Sequence, residues 1–199
     1  MAVLEIIKYG DERLRTPSKE VTKVTSRIQK LIKDLIDTMY AKDGVGLAAP
    51  QVGENYRIFV IDTASGKEPP NLVVFINPKI VKKSGAINSN EGCLSFPNVY
   101  IDVRRYTDII IRAKDEKGRI FTMEAKGGSL LARALQHETD HLDGIVFIDH
   151  SRNRFDTEQK LAEFGLPALD PEKLLDESDL EAEIQAKEVE EKEKTVIVE

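Results

Sequence analysis

The stretch SLLARALQHETDHL, residues 129–142, decides the fold of this 199-residue chain. Its apolar residues recur at spacings of three and four, which predicts a largely buried helix over the whole stretch. His137 and His141 are four residues apart, so such a helix presents both imidazoles on one face, where they can reach a single metal ion. Glu138 would lie beside the open side of that metal as an acid and base. Because two histidines and a carboxylate are costly to bury without partners, the stretch favours a mononuclear metallohydrolase over an ordinary core helix.

Two histidines do not complete a metal site, and the third ligand separates the alternatives. A zincin protease takes a histidine or a glutamate downstream, but Phe147 occupies the position where the longer metzincin pattern requires a histidine. Glu158 and Glu163 remain as zincin-like ligands, although they belong to a polar segment. Cys93, within EGCLS at residues 91–95, is the better candidate because a cation would stabilise its thiolate and the chain has no other cysteine.

Further signals along the chain place this helix in a mixed fold. Apolar residues with helical spacing predict an amphipathic helix from Thr25 to Ala41, and a short helix is expected from Thr157 to Phe164. GVGLAAPQ at residues 44–51 contains two glycines and a proline, which predicts a shaped loop. Together these signals indicate an α+β fold with antiparallel sheets packed around a central metal-binding helix. The predicted strands are Tyr56–Asp62, Leu72–Asn77, Lys79–Lys82, Val99–Val103, Thr107–Ala113, Arg119–Glu124 and Ile145–Asp149.

The acidity of the chain is concentrated at its C-terminal end. Residues 171–199 hold 11 acidic side chains against 4 lysines, a net charge of −7, so the first 170 residues sum to about +1. A nearly neutral body gives no argument for a sequence-specific nucleic-acid surface. We expect one catalytic domain over residues 1–165 and an acidic extension over residues 166–199, either a frayed helix or disordered.

The N-terminal sequence and the cysteine content predict a cytoplasmic protein. Cys93 is the single cysteine, which excludes an internal disulfide and fits a reducing compartment. The first residues lack the long apolar core of a signal peptide. Since no apolar run approaches the length needed to cross a bilayer, no membrane partner is expected.

Three segments together resemble the motifs of the peptide deformylase family. They are GVGLAAPQ at residues 44–51, EGCLS at residues 91–95 and QHETDH at residues 136–141, in the family's order and with similar separations. The resemblance covers roughly residues 4–150. It implies a hydrolase that removes the N-formyl group from the initiating methionine of nascent polypeptides and releases formate.

The resemblance also implies the ligands of the metal and the general base. Cys93, His137 and His141 would hold one divalent ion, with water as fourth ligand, and Glu138 would deprotonate that water and then protonate the departing amine. Ferrous iron is the usual cellular metal of the family, while zinc, nickel or cobalt can occupy the site. Cysteine with two histidines suits several divalent ions, so the ligand set does not choose among them.

Substrate contacts carried over from the family complete the hypothesis. The side-chain amide of Gln51 and the backbone N–H of Leu94 would donate to the formyl oxygen. The backbone at Val45-Gly46 would pair with the peptide, and Leu130 and Ala134 would help to receive the methionine side chain.

Partners and competing functions follow from the same motifs. The substrate would be a formyl-methionine nascent peptide, and a transient association with the ribosome is implied, although the acidic tail opposes electrostatic docking on ribosomal RNA. We also expect Glu91 to be structural, held by Arg104 or Arg105. The competing functions are a zincin-type endopeptidase and a metal-bound peptide-binding module without catalysis.

Overall fold

The fold is a pair of antiparallel sheets assembled around one buried helix, and a computed structural model describes it for residues 2–64, 70–176 and 178. The α-helices of these residues are α1 (Ser26–Ala41), α2 (Leu130–Leu142) and α3 (Arg154–Glu163). The strands are β1 (Gly46–Ala48), β2 (Ile58–Asp62), β3 (Leu72–Ser84), β4 (Ile87–Cys93), β5 (Phe96–Arg105), β6 (Asp108–Lys114) and β7 (Ile120–Ala125). A five-stranded sheet has the order β1-β2-β3-β6-β7, and β4 pairs with β5 separately. The predicted α+β class is therefore confirmed.

Helix α1 covers one side of the five-stranded sheet. The side chain of Thr25 accepts a hydrogen bond from the backbone N–H of Ile28 and so caps the first turn. The apolar face of the helix, with Leu35 fully buried, packs into one core cluster with Leu47 of β1 and Val60 of β2. This burial against the sheet, more than intrinsic propensity, stabilises the helix.

Helix α2 lies in the centre of the molecule. Ser129 caps it by accepting the backbone N–H of Ala132, and Leu135 lies in the core cluster that also contains residues of β1, β2 and β6. Gln136 fixes the helix to the connection between β5 and β6, because its side chain accepts the N–H of Tyr106 and donates to the carbonyl of the same residue. These contacts leave the face with the two histidines directed at the β4–β5 hairpin.

The β4–β5 hairpin carries the cysteine segment to this helix. Cys93 ends β4, and the pairing shifts by a bulge between Gly92 and Cys93. A Cβ atom at Gly92 would lie 2.5 Å from the ring of Tyr100 on β5, so a larger side chain would displace that ring. The glycine therefore allows the close approach of the two strands beside the cysteine.

Two expectations about local structure are wrong. The GVGLAAPQ segment is not only a loop: Gly46–Ala48 forms an edge strand on β2, and a 3₁₀ turn follows at Ala49–Val52. Ile145–Asp149 is not a strand, because a 3₁₀ turn occupies Phe147–His150. The carboxylate of Asp149 accepts the N–H of Val146 and binds Arg15, which bends the backbone there.

Other boundaries differ because tertiary contacts override the local pattern. The two predicted strands Leu72–Asn77 and Lys79–Lys82 are one strand, β3, whose pairing shifts after Ile76. Helix α3 begins at Arg154, three residues early, because Asn153 caps it. Strand β4 was not expected, since its polar sequence INSNEGC lacks the apolar alternation typical of strands.

The described part of the C-terminal region continues to pack on the domain. Leu169 is buried in the core cluster around β5, and the N–H of Leu175 donates to the carbonyl of Asp149. Most of the acidic extension, residues 179–199, lies outside the described residues. Among the residues that the structure describes, no helix has the length and apolar character to cross a membrane.

A glycine after α2 gives a test of this packing. Gly144 has φ +75°, and a Cβ there would lie 2.5 Å from the backbone oxygen of Arg15. Gly144→Ala should lower the free energy of unfolding by more than the cost of a left-handed alanine alone, about 1–2 kcal/mol. Gly127→Ala is the matched control, because Gly127 has φ +64° and open space around its Cβ position. Urea unfolding of both variants measures the difference, and equal losses would contradict the predicted clash.

Candidate metal centre

Three donor atoms converge between β4 and α2. Cys93, His137 and His141 each offer one ligand atom, and these atoms lie within 4.8 Å of one another. The Sγ of Cys93 is 3.3 Å from the Nε2 of His141. One thiolate and two imidazoles suit a tetrahedral divalent ion and leave the fourth position for water or substrate. The residues predicted as ligands are thus brought together, and their chemistry fits a catalytic metal.

A buried carboxylate orients the first histidine. The Nδ1 of His137 is 3.1 Å from a carboxylate oxygen of Glu91, which is also held by two hydrogen bonds from Arg105 at 2.9 and 3.0 Å. Burial alone would raise the pKa of Glu91, but Arg105 and His137 hold that pKa well below its usual range. An ionised Glu91 keeps the ring proton of His137 on Nδ1, which leaves Nε2 free to bind a metal.

Arg105 also connects this carboxylate to the second half of the helix. Its guanidinium, in a side chain only 2% exposed, donates to Asp140, which in turn contacts His150 at 3.0 Å. The expectation that Glu91 binds Arg104 or Arg105 is resolved in favour of Arg105, because the Nε of Arg104 donates to Asn88.

Glu138 is a buried carboxyl group that forms no ion pair with any residue that the structure describes. Its side chain is 4% exposed, and Oε2 has no hydrogen-bond partner among the described residues. Burial raises the pKa of Glu138 to about 7. A Cβ atom at Gly46 would collide with the same carboxylate, so the glycine lets β1 pass directly beside it. A carboxyl group of this kind can both accept and donate a proton near neutral pH.

The side chain of Gln51 reaches the same place from the 3₁₀ turn after β1. Its Oε1 accepts the backbone N–H of Ala48 at 2.8 Å. Its Nε2 lies 3.3 Å from the Sγ of Cys93 and 3.3 Å from the hydroxyl of Ser95. Leu94, which follows Cys93 in the chain, is held through its carbonyl, which accepts a hydrogen bond from the ammonium group of Lys8 at 3.0 Å.

A cavity of about 690 Å³ opens over these groups. Leu130, at 42% exposure, contributes the most accessible apolar surface on α2. Glu158 and Glu163 are not part of this cavity, which removes the geometric basis for zincin-like ligands. The sequence-predicted residues along its wall are Val45, Gly46, Gln51, Cys93, Leu94, Leu130, Ala134, His137 and Glu138, while His141 is buried behind them.

Several residues at the cavity were not predicted from the sequence. Lys8 and Tyr100 come from distant segments and carry no local signal. Arg133 could have been found, because it lies four residues before His137 and therefore on the same face of the helix. Ser95 is buried behind the cavity wall, and although it belongs to the EGCLS motif, its contact with Gln51 depends on the fold.

Comparison with known proteins decides the family. The family model of polypeptide deformylases matches residues 3–156. The chain belongs to this family. A peptide deformylase of Thermodesulfovibrio yellowstonii is 47% identical over 149 residues, which are 75% of this chain and 89% of that protein. Members of the family are metal-dependent hydrolases that remove the N-formyl group from nascent polypeptides, and this chain is such an enzyme.

Solved deformylase structures have the same fold. The peptide deformylase of Synechococcus elongatus in complex with actinonin superposes with a TM-score of 0.80 at 40% identity, covering 86% of this chain and 91% of that one. The enzyme of Thermotoga maritima gives a TM-score of 0.71 at 38% identity, covering 77% of this chain and all of the other. The deformylase resemblance drawn from the three motifs is confirmed.

The buried carboxylate gives a second prediction. Glu91→Gln removes the charge between Arg105 and His137 and leaves Asp140 as the remaining anionic partner of the guanidinium, which is expected to lower the free energy of unfolding by about 1–3 kcal/mol. We expect the melting temperature of Glu91→Gln to fall. The rate of the chemical step, measured at low temperature where the variant is folded, should not fall with it. Glu116→Gln, at an exposed hairpin position, is the control. An unchanged melting temperature with full metal content would contradict the structural role of Glu91.

Proposed function

We propose that Cys93, His137 and His141 are the metal ligands of this deformylase. The convergence of their donor atoms within 4.8 Å supports the assignment. The ion, when bound, would supply Lewis acidity toward water and the formyl oxygen. We propose ferrous iron as the cellular metal, with zinc, nickel or cobalt able to replace it, and a thiolate ligand makes sensitivity to oxidation an expected property.

Glu138 is the proposed acid and base. Its Oε2 has no hydrogen-bond partner among the described residues, and its pKa is about 7. Both observations support a role in which Glu138 takes a proton from the attacking water and later delivers it to the departing amine. The close passage of Gly46 limits where the carboxylate can lie, which favours a fixed direction for proton transfer. The strongest support for the mechanism is this buried carboxyl group, which forms no ion pair with a described residue and lies beside the donor atoms of Cys93, His137 and His141.

Gln51 and the backbone N–H of Leu94 are the proposed donors to the formyl oxygen. Oxyanion stabilisation requires donors that are already oriented before the reaction begins. The amide of Gln51 is anchored on Ala48 and points toward Cys93, which supports this role. Leu94 directly follows the cysteine, so its N–H belongs to the same short segment.

The peptide substrate is proposed to add to the edge of the larger sheet. β1 is an outer strand of the five-stranded sheet, and Val45 and Gly46 lie along the cavity. An exposed strand edge offers backbone groups to an extended peptide. Leu130 and Ala134, both on the cavity side of α2, are the proposed contacts for the methionine side chain.

The setting proposed for this reaction is the cytoplasm, where formylated chains leave the ribosome. We propose a transient contact with the ribosome that does not depend on the acidic tail, since a net charge of −7 opposes docking on RNA. We also propose the division into a catalytic domain, residues 1–165, and an extension, residues 166–199.

The acid and base assignment is tested with the enzyme purified without oxygen. Formate release from formyl-Met-Ala-Ser should fall by about 10²- to 10⁴-fold in Glu138→Gln, while metal content stays full. Glu163→Gln, on α3 and outside the cavity, is the control and should keep full activity. Formate release at the normal rate by the metal-loaded Glu138→Gln variant would contradict the role of Glu138. Absence of formate from the unsubstituted, metal-loaded protein would contradict the proposed function as a whole.

Removal of the Cys93 thiolate distinguishes the proposed deformylase ligands from a zincin-like set of ligands. Cys93→Ala should lose the metal on dialysis, because only two imidazoles remain. Metal analysis beside the unsubstituted protein measures the loss. Full metal retention by Cys93→Ala, together with loss of metal from Glu163→Gln, would support zincin-like ligation instead.

A further inference from the structure

Ser95 is the last residue of the EGCLS segment, and none of the roles proposed for metal binding, acid–base catalysis or oxyanion stabilisation involves it. Its side chain is fully buried, and its hydroxyl lies 3.3 Å from the Nε2 of Gln51. The cysteine two residues earlier and the glutamine are the groups proposed to contact metal and substrate. Ser95 therefore joins the proposed ligand segment to the proposed oxyanion donor.

The direction of the Gln51 amide is set by one of its neighbours. The backbone N–H of Ala48 can only donate, so the atom of Gln51 that lies 2.8 Å from it must be the oxygen. The NH₂ group must then face Cys93 and Ser95. Of its two N–H bonds, one meets the serine hydroxyl, and the other is directed toward the donor atoms.

The backbone on both sides of this contact is held by the N-terminal arm, residues 6–9. The N–H of Ile7 donates to the carbonyl of Gln51 at 2.8 Å, and the N–H of Tyr9 donates to the carbonyl of Ser95 at 2.9 Å. The ring of Tyr9 also stacks on Phe96, with ring centroids 4.6 Å apart. The arm thus fixes the distance between the two segments whose side chains form the contact.

We propose that Ser95 is a positioning residue that acts through the amide of Gln51. The terminal torsion of a glutamine has broad minima, and sulfur is a weak acceptor, so the anchor at Ala48 and the contact with the Sγ of Cys93 leave the amide plane free to tilt. The serine hydroxyl adds an oxygen acceptor for one N–H and so holds the other N–H on the side that faces Cys93, where the formyl oxygen is proposed to bind. This inference rests on the proposed oxyanion role of Gln51, and it explains why a buried hydroxyl lies beside the metal centre.

The test is a double-mutant cycle on formate release from formyl-Met-Ala-Ser. Ser95→Ala should lower kcat by about 3- to 10-fold, the value of one hydrogen bond, with KM and metal content unchanged. Gln51→Ala should lower kcat by about 10²- to 10³-fold. In the Gln51→Ala background, adding Ser95→Ala should change kcat by less than about twofold, because the group through which the serine acts is gone.

Ser151→Ala is the matched control, since its hydroxyl pairs with Thr157 at 2.7 Å outside the cavity. It should leave kcat unchanged in both backgrounds. An equal loss from Ser95→Ala in both backgrounds, loss of its metal, or no loss at all would overturn the role of Ser95. Full kcat in Gln51→Ala would instead show that the oxyanion assignment fails, so the two failures are distinguishable.

Discussion

The buried guanidinium of Arg105 is the interaction on which the rest of the site depends. A cation at 2% exposure requires anionic partners, and it has two, Glu91 and Asp140. Glu91 lies two residues before Cys93 and also contacts the ring of His137, while Asp140 directly precedes His141. All three proposed metal ligands are therefore connected, through Glu91 or Asp140, to a single charge on β5. The observed arrangement of the hairpin and the central helix neutralises that charge.

Much of this arrangement could be predicted from the sequence because it is local. The helical spacing around His137 and His141 predicts both the helix and the convergence of the two imidazoles, and α1 follows from the same rule. The sequence does not show whether Arg104 or Arg105 binds Glu91. Both side chains are buried, so the usual alternation of buried and exposed positions along a strand fails at the end of β5. Long-range electrostatic partners leave no periodic signal.

The errors have the same origin. The apolar run before His150 resembles a strand because it is buried, but Asp149 and Arg15 impose a 3₁₀ turn. Strand β4 was missed because its polar residues are satisfied by pairing with β5, not by an apolar face. The passage of Gly46 beside Glu138 likewise joins segments more than 90 residues apart, and only the assembled fold reveals that a larger side chain there would displace the carboxylate.

The N-terminal arm has a consequence for the order in which the enzyme matures during its own synthesis. Residues 6–9 are synthesised before their acceptors on Gln51 and Ser95, and the second histidine of the centre is synthesised later still. Contacts of such sequence separation form slowly, because a long loop must close before they gain stability. The arm can therefore be held in place only after the residues that accept its hydrogen bonds have been made. The bracing of Gln51 and Ser95 by this arm thus joins a segment made early to two segments that are made later and border the centre.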